Sequence, residues 1–415
     1  MVKTKISMRA VLLCLIAVAF LFLSATDAIC KDEGAYRISI MSAHNPNSVN
    51  VHSTDGKTLV LAVNEELYPD YAATKDDHFR VTMGRDGIEV SVMKGPDRQL
   101  MKKTTSKDAK ISFVTKEKKQ TYNKYTIETD NGTKEDFEGT INISYADTKI
   151  FMLLFVQKET VLAELINKDA ANYKSAEGLK AQAVLARTIL QLFVGSHGLG
   201  KFDLCDSEHC SVYMNREKVS KRALRAARET SGKVMTHKGK LVYPYFFNTC
   251  GGHTVLASTS WGMSDTVLPY IKAVKCDYCR NSKNYRFKKE IKRDVLSRIF
   301  LGKDDESFDI KVTKYGKHNH WINSINVITD TYGYAVTGTK FMKLLWGALD
   351  EENLPSGAFS VKKKGEKFVF SGKGAGHGVG LCQTGADKMG NKGHSYKKIL
   401  KFYFSKIKIK DVSSL

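Results

Sequence analysis

A compact group of metal-binding residue types occurs near the middle of the chain. Cys205-Asp-Ser-Glu-His-Cys210 places two thiols and an imidazole within a few residues, and His197 lies a short distance upstream. Thiolate and imidazole are the ligands that zinc prefers in proteins. The same spacing suits a small disulfide loop between Cys205 and Cys210, and spacing alone favours neither interpretation.

A second set of cysteines is spread over a longer stretch. Cys276 and Cys279 form a Cys-x-x-Cys pair, Cys250 precedes it in Thr-Cys-Gly-Gly-His, and Cys382 follows in Gly-Leu-Cys. Such a pair is a disulfide, a redox pair or half of a zinc site. We predict that the four sulfurs come together in the fold, without deciding between zinc and disulfides.

A glycine-rich segment surrounds a histidine near the C-terminus. Residues 371–380 alternate glycines with other residues, and His377 lies among them. Glycine permits positive φ angles and close approach of the backbone to a ligand. A turn-rich loop with an exposed histidine is the alternative, and we predict a binding site. Residues 195–201 resemble a phosphate-binding loop, but Phe202 stands where that loop needs Ser or Thr, which excludes it.

The segments that must position these residues form two regions. Residues 31–150 show the alternation of apolar and polar residues that is typical of half-buried strands. From residue 151 to residue 408, helical patterns are mixed with strand-like stretches, so strands and helices do not alternate regularly. The sequence therefore predicts an α+β fold rather than a doubly wound parallel sheet. The predicted helices cover 160–167, 175–194 (capped by Ser175), 218–229 and 395–404, and the predicted strands cover 234–236, 241–248 and 368–371.

The first 28 residues have the pattern of an export signal. Lys3, Lys5 and Arg9 precede an apolar run from residue 10 to residue 23, and small residues follow. The run is shorter than the ~20 apolar residues of a membrane span, with an uncleaved membrane anchor as the alternative. We therefore predict a periplasmic, extracellular or cell-wall location. Cleavage after Ala28 would leave an odd number of cysteines in an oxidising compartment.

Sequence motifs between residues 155 and 405 follow one another in an order found in a known family. They are Glu164-Leu-Ile, Leu-Lys-Ala-Gln-Ala-Val-Leu-Ala-Arg-Thr at 179–188, Asp-Leu-Cys-Asp-Ser-Glu-His-Cys at 203–210, Asn-Thr-Cys-Gly-Gly-His-Thr at 248–254 with Trp-Gly and Pro-Tyr-Ile at 261–271, and Gly-His-Gly-Val-Gly-Leu-Cys-Gln at 376–383. With these motifs the chain resembles the SpoIID/LytB family of stage II sporulation protein D and the amidase enhancers.

This resemblance implies a lytic transglycosylase that cleaves the glycan strands of peptidoglycan, with Glu164 as its catalytic acid and base. It also implies a structural zinc ion on His197, Cys205 and Cys210, with His209 as the alternative imidazole. One departure from the family pattern is Leu165-Ile166, which replaces Met-Pro after the glutamate. The residues that the resemblance assigns to substrate binding are Lys180, Gln182, Arg187, Tyr213, His253, His377 and Gln383.

Two classes of function fit these features. The first is the glycan-cleaving enzyme, which Glu164 favours. The second is a non-catalytic wall-binding protein that stimulates an N-acetylmuramoyl-L-alanine amidase. The formal net charge of +21 favours anionic partners, either nucleic acid or a bacterial envelope. Export argues against nucleic acid, so the predicted partners are peptidoglycan strands and a cell-wall amidase.

Overall fold

The structure is a computed structural model that describes residues 34–94, 99–106, 108–115, 123–146, 149–194, 196–197, 202–207, 209–210, 219–318, 320–349 and 353–415. The predicted export signal and Tyr213 lie outside the described residues. The described chain forms two compact units. One contains the chain up to Leu165 together with Phe193–Val219, and the other contains Ile166–Leu192 and Ser220–Leu415.

The first unit is built on one large sheet. The strands follow one another across it in the order β12-β1-β11-β10-β9-β2-β5-β6-β7, while β8 pairs with β10 and β3, and β3 pairs with β4. Buried and partly exposed residues alternate along β11 from Ile150 to Val156, as expected for a strand with one buried face. The strands are β1 (Ala35–Ser39), β2 (Ser48–Ser53), β3 (Leu59–Val63), β4 (Glu66–Ala73), β5 (His78–Met83), β6 (Ile88–Lys94), β7 (Gln99–Thr104), β8 (Ile111–Thr115), β9 (Asn123–Thr129), β10 (Lys134–Ala146), β11 (Lys149–Gln157) and β12 (Leu204–Cys205).

Helices are found mainly in the second part of the chain. The best-buried one is α2, whose apolar residues Ala181, Val184 and Leu185 enter the core of the second unit. Ser175 caps it, because its hydroxyl accepts a hydrogen bond from the Gly178 amide at 3.0 Å. The helices are α1 (Lys158–Asp169), α2 (Ala176–Phe193), α3 (Lys221–Glu229), α4 (Ala257–Trp261), α5 (Arg293–Leu301), α6 (Gly338–Ala348), α7 (Gln383–Asn391) and α8 (Tyr396–Tyr403).

The second unit contains small sheets and two hydrophobic cores. One core surrounds α2 and the glycine-rich segment, and the other lies between α5, α6 and strands β16 to β21. The sheet orders are β14-β13-β23, β15-β22, β16-β21-β20 and β17-β18-β19. The strands are β13 (Lys233–His237), β14 (Lys240–Leu241), β15 (Phe246–Phe247), β16 (Arg286–Lys292), β17 (Asp309–Tyr315), β18 (Ile322–Ile328), β19 (Gly333–Thr337), β20 (Phe359–Lys364), β21 (Lys367–Lys373), β22 (Leu381–Cys382) and β23 (Lys408–Asp411).

The predicted α+β class is confirmed, and the four predicted helices are present as α1, α2, α3 and α8. The continuous strand predicted over 241–248 is wrong, because only the short β14 and β15 form there. Pro244 lies between them, and proline has no amide hydrogen for a sheet hydrogen bond. Among the residues that the structure describes, no helix is both long enough and apolar enough to cross a membrane.

Candidate functional site

Helix α1 carries the predicted catalytic residue, Glu164. The side chains next to it in sequence are apolar, and Leu162, Ala163 and Ile166 are all buried with at most 1% of their surface exposed. Glu164 itself is partly exposed. Glu164 is therefore accessible to solvent on a helix most of whose apolar residues are buried.

The first cysteine cluster brings two thiols and two imidazoles together within the first unit. The ligand atoms of His197, Cys205, His209 and Cys210 all lie within 4.8 Å of one another. The Nε2 atom of His197 is 3.3 Å from each sulfur, and Nδ1 of His209 is 3.4 Å from the Cys210 sulfur. A tetrahedral zinc ion with bonds of roughly 2.0–2.3 Å needs nitrogen-to-sulfur separations of about 3.5 Å. The four side chains fit zinc, and both histidines belong to the set.

The loop that carries this cluster is fixed to the sheet by its own acidic residues. Strand β12 pairs with β1 in parallel, which places Cys205 opposite Ser39. The Arg37 amide and guanidinium donate to the Asp203 carboxylate at 2.8 and 2.9 Å. The hydroxyl of Ser42 donates to Asp206 at 2.8 Å. Asp203 and Asp206 therefore attach the segment that contains Cys205 to strand β1 and to Ser42.

The four remaining described cysteines come together in the second unit, as predicted. The sulfurs of Cys250, Cys276, Cys279 and Cys382 all lie within 4.8 Å of one another. None of the four residues exposes more than 3% of its surface. The convergence is therefore confirmed, although Cys250 and Cys382 are far apart in the sequence.

A polar cleft of about 320 Å³ lies in the second unit, where α1 ends. Its size is near the lower end of the range for small-molecule sites, roughly 300–1,000 Å³. Amide, hydroxyl, ammonium and carboxylate groups line it, and such groups can donate to and accept from the hydroxyl groups of a sugar. The lining residues are Lys168, Asp169, Ala170, Ala171, Asn172, Tyr173, Asn248, Ser282, Lys283, Asn284, Gln383, Thr384 and Asp387.

Hydrogen bonds hold the walls of this cleft together. The side-chain amide of Gln383 donates to the Asp169 carbonyl at 2.8 Å, which joins α7 to the end of α1. The amide of Asn284 donates to the Asn248 side chain at 3.0 Å. Although Asp169 is exposed overall, the surrounding protein desolvates its carboxylate and raises the pKa of Asp169 above its ordinary value. Among the predicted substrate-binding residues that the structure describes, only Gln383 lies in this wall.

Three other predicted substrate-binding residues lie on α2. The Lys180 ammonium donates to Glu177 at 2.8 Å and to Glu229 at 2.7 Å, and the hydrogen bond from Lys180 lowers the pKa of Glu229 to about 2. Arg187 is buried, and its guanidinium donates to the Ala227 carbonyl at 2.9 Å. Gln182 is fully buried, and its side-chain nitrogen finds no partner within the described part of the chain. These contacts attach α2 to α3 and to the core.

The two predicted histidines lie in different surroundings. The ring of His253 stacks on His318 with 4.2 Å between centroids, and its Nδ1 is 2.7 Å from the Thr254 carbonyl. His377 uses both ring nitrogens, because Nε2 donates to the Phe246 carbonyl at 2.9 Å and Nδ1 accepts from the Val379 amide at 3.2 Å. This pairing sets one neutral tautomer and holds the glycine-rich segment in place.

The neutral state of His377 gives the protein a specific pH dependence. Burial lowers the pKa of His377 from 6.5 to about 4. The unfolded chain therefore binds a proton in this range before the folded one does, and stability is lost as the pH falls from 6.5 towards 4. A shift of this size corresponds to about 3 kcal/mol. We expect His377→Gln to remove this part of the pH dependence in urea unfolding between these pH values. If the free energy of unfolding fell equally steeply with pH in the two proteins, His377 would not be the residue responsible.

Residues that motif spacing did not single out complete the cleft. Asp169, Asn248, Asn284 and Asp387 lie in it, and Asp387 accepts from the backbone amides of residues 174 and 175 at 2.8 and 2.7 Å. They belong to four separate chain segments. These residues come together only because the four segments pack against one another, and no local sequence pattern predicts this.

Part of the chain matches a protein family. Residues 146–237 match the family model described as stage II sporulation protein. The stage II sporulation protein D of Bacillus subtilis is 27% identical over 276 residues, which are 62% of this chain and 75% of that protein. The amidase enhancer of the same organism is 28% identical over 279 residues, which are 55% of this chain and 37% of that protein.

An uncharacterized protein of Brachyspira hyodysenteriae is similar as well. It is 32% identical over 243 residues, or 57% of this chain, and the chain covers 61% of that protein's length. The residues that match the family model include Glu164, Lys180 and the first cysteine cluster. The second cysteine cluster lies outside them.

Proposed function

Because this chain belongs to the SpoIID/LytB family, we propose that it is an exported lytic transglycosylase that cleaves the glycan strands of peptidoglycan. Glu164 supplies the acid and the base of the reaction. The observation that carries the proposal is the position of Glu164. It lies inside the segment that matches the family model, on a helix whose neighbouring side chains are buried and apolar.

The architecture near the end of α1 supports a carbohydrate substrate. Helix α1 ends at Asp169, in the wall of the polar cleft of the second unit. Side chains of several hydrogen-bonding types line that cleft. The repeated hydroxyl and acetamido groups of a glycan strand offer partners to each of them. An extended anionic polymer also suits a chain with a net charge of +21.

One carboxyl group is enough for the proposed reaction. Glycosidases that use water need a second carboxylate to activate water or to attack the sugar. In the lytic reaction, protonated Glu164 donates its proton to the glycosidic oxygen while the bond between that oxygen and C1 of N-acetylmuramic acid breaks. The C6 hydroxyl of the same sugar then bonds to C1, and its proton returns to Glu164. The reaction consumes no water, and Glu164 is protonated again at its end.

The zinc ion that fits His197, Cys205, His209 and Cys210 has a structural role in this proposal. These side chains would fill all four positions of a tetrahedral ion, which is typical of structural zinc sites. A bound ion would hold His197 and the segment from Cys205 to Cys210 together. The reaction itself uses the side chains of the protein.

Incubation of the purified protein with isolated sacculi, without any amidase, tests the proposed function. We expect soluble glycan fragments to be released. The protein should remove no stem peptides, so strands that carry stem peptides should keep them. The alternative function is supported by the relative named amidase enhancer. Release of fragments only after addition of a cell-wall amidase, together with faster cleavage by that amidase, would favour that alternative.

Export is a separate prediction. The basic residues Lys3, Lys5 and Arg9, followed by an apolar run, should direct a passenger protein out of the cytoplasm. We expect residues 1–40, fused to a reporter that is active only outside the cytoplasm, to give activity. Replacement of the three basic residues by Glu is the control and should reduce it strongly. A stable but inactive unaltered fusion would contradict export.

A further inference from the structure

We propose that Cys250, Cys276, Cys279 and Cys382 bind a second structural zinc ion as four thiolates. The four residues come from three separate parts of the second unit, and their sulfurs lie within 4.8 Å of one another. The sulfurs of Cys250 and Cys279 are 3.3 Å apart. The inference is independent of the catalytic role of Glu164.

The arrangement of the sulfurs fits a tetrahedral ion. Four thiolates at about 2.3 Å from zinc are separated from one another by about 3.8 Å. The 3.3 Å between the sulfurs of Cys250 and Cys279 and the separations of at most 4.8 Å for the other pairs agree with this value. Two disulfides would require only that the sulfurs be close in pairs. Here each sulfur is close to the other three, which is the condition for a common ligand.

Hydrogen-bond donors point at the sulfurs. The backbone amides of Cys250 and Gly385 each lie 3.3 Å from the Cys382 sulfur, towards which they donate. The Tyr403 hydroxyl is 3.3 Å from the Cys276 sulfur. Donors of this kind stabilise the negative charge of metal-bound thiolates. They surround a cluster whose residues are almost completely buried, where a set of thiolates without a cation would be costly.

Gly385 shows how closely the cluster is packed. A Cβ atom on this residue would lie 2.2 Å from the Tyr403 hydroxyl, 2.8 Å from the Cys276 sulfur and 3.3 Å from the Cys382 sulfur. No side chain fits there without displacing the ligands. The site is therefore closed to substrate, and four protein ligands with no open position are typical of structural rather than catalytic zinc.

The position of the cluster suggests what the ion stabilises. Cys382 caps helix α7, and its side chain accepts from the Gly385 amide. The next residues, Gln383 and Thr384, line the polar cleft, as does Asn248, which lies two residues before Cys250. Ser282 lines it three residues after Cys279. The ion would thus connect three walls of the cleft, which are otherwise joined by hydrogen bonds.

Metal analysis of the full chain, purified without added metal or reductant, tests the proposal. We expect Cys276→Ser to contain one zinc ion per chain fewer than the wild type. Cys30→Ser, which changes none of the eight residues of the two clusters, should keep the wild-type content. A content that Cys276→Ser leaves unchanged would overturn the proposal, and so would iron in place of zinc.

A second measurement avoids variants that fail to fold. The unaltered chain is denatured in a chelator and an alkylating reagent without reductant, and its peptides are mapped by mass spectrometry. Zinc ligation predicts that all four cysteines carry the alkyl group. A disulfide between any two of them would contradict the site, and so would four free thiols in a chain that contained no metal before denaturation.

Discussion

Glu164→Gln is expected to lower the rate of glycan cleavage by ~10² or more, which is the usual contribution of a general acid and base. Glutamine keeps the shape of the side chain but can neither donate the proton to the glycosidic oxygen nor accept it from the C6 hydroxyl. The fold should survive, because Glu164 is partly exposed and the buried contacts of α1 come from Leu162, Ala163 and Ile166. Initial rates on isolated glycan strands, with a melting curve for each protein, measure both effects.

Two other carboxylates on the same helix allow comparisons, Glu159 as a control and Asp169 as a test for a second catalytic carboxylate. Glu159→Gln makes the same chemical change in the first turn of α1 and should leave the rate within a few-fold of the wild type. Asp169→Asn removes one of the two carboxylates in the cleft, the one whose pKa is raised by desolvation. A lytic reaction with one acid and base predicts that Asp169→Asn mainly weakens binding of the strand. If it lowered kcat as much as Glu164→Gln, two carboxylates would be involved, as in hydrolysis.

Cys205→Ser is expected to release the zinc ion of the first cluster and to destabilise the unit that holds it. Binding of a structural zinc ion contributes to the free energy of folding. A loss of roughly 3 kcal/mol would lower the melting temperature by about 6–12 °C in a unit of this size. The loop keeps its bonds from Asp203 to Arg37, so the sheet should remain folded at room temperature. Metal content and thermal unfolding measure the two effects.

The two imidazoles of this cluster allow a finer comparison. His197→Ala and His209→Ala should each weaken zinc binding, because both ring nitrogens lie within 3.4 Å of a ligand sulfur. Cys30→Ser is again the matched control for the loss of a thiol. Metal-free protein with a disulfide between Cys205 and Cys210 would contradict the zinc site. A full zinc content in His209→Ala would instead restrict the ligands to the three residues that the family resemblance implies.

Sequence patterns were most informative where the contacts are local. The face of α2 could be predicted because Leu179, Ala183 and Leu190 recur at helical spacing, and all three are buried. The alternation predicted within residues 31–150 is present in β2, where Val49 and Val51 are buried between partly exposed residues. The prediction failed over residues 241–248, where apolar residues favour a strand but Pro244 interrupts it.

The candidate site was less predictable, because its parts come from distant segments. The cysteines could be grouped in advance, since few residue types bind zinc and each lies in a recognisable motif. The cleft could not be anticipated, because it depends on Gln383 reaching the end of α1. The buried position of Arg187, which donates to the Ala227 carbonyl, also depends on how α3 packs. Neither contact leaves a periodic or compositional pattern in the sequence.

In the proposed reaction, Glu164 drives a cleavage in which the sugar's own hydroxyl replaces water. Mass spectrometry of the new strand ends, after isolated glycan strands have been incubated with the purified protein, distinguishes this reaction from hydrolysis. We expect 1,6-anhydro-N-acetylmuramic ends that accumulate with the wild type and are nearly absent with Glu164→Gln. Reducing ends, or anhydro ends formed equally fast by the variant, would contradict it.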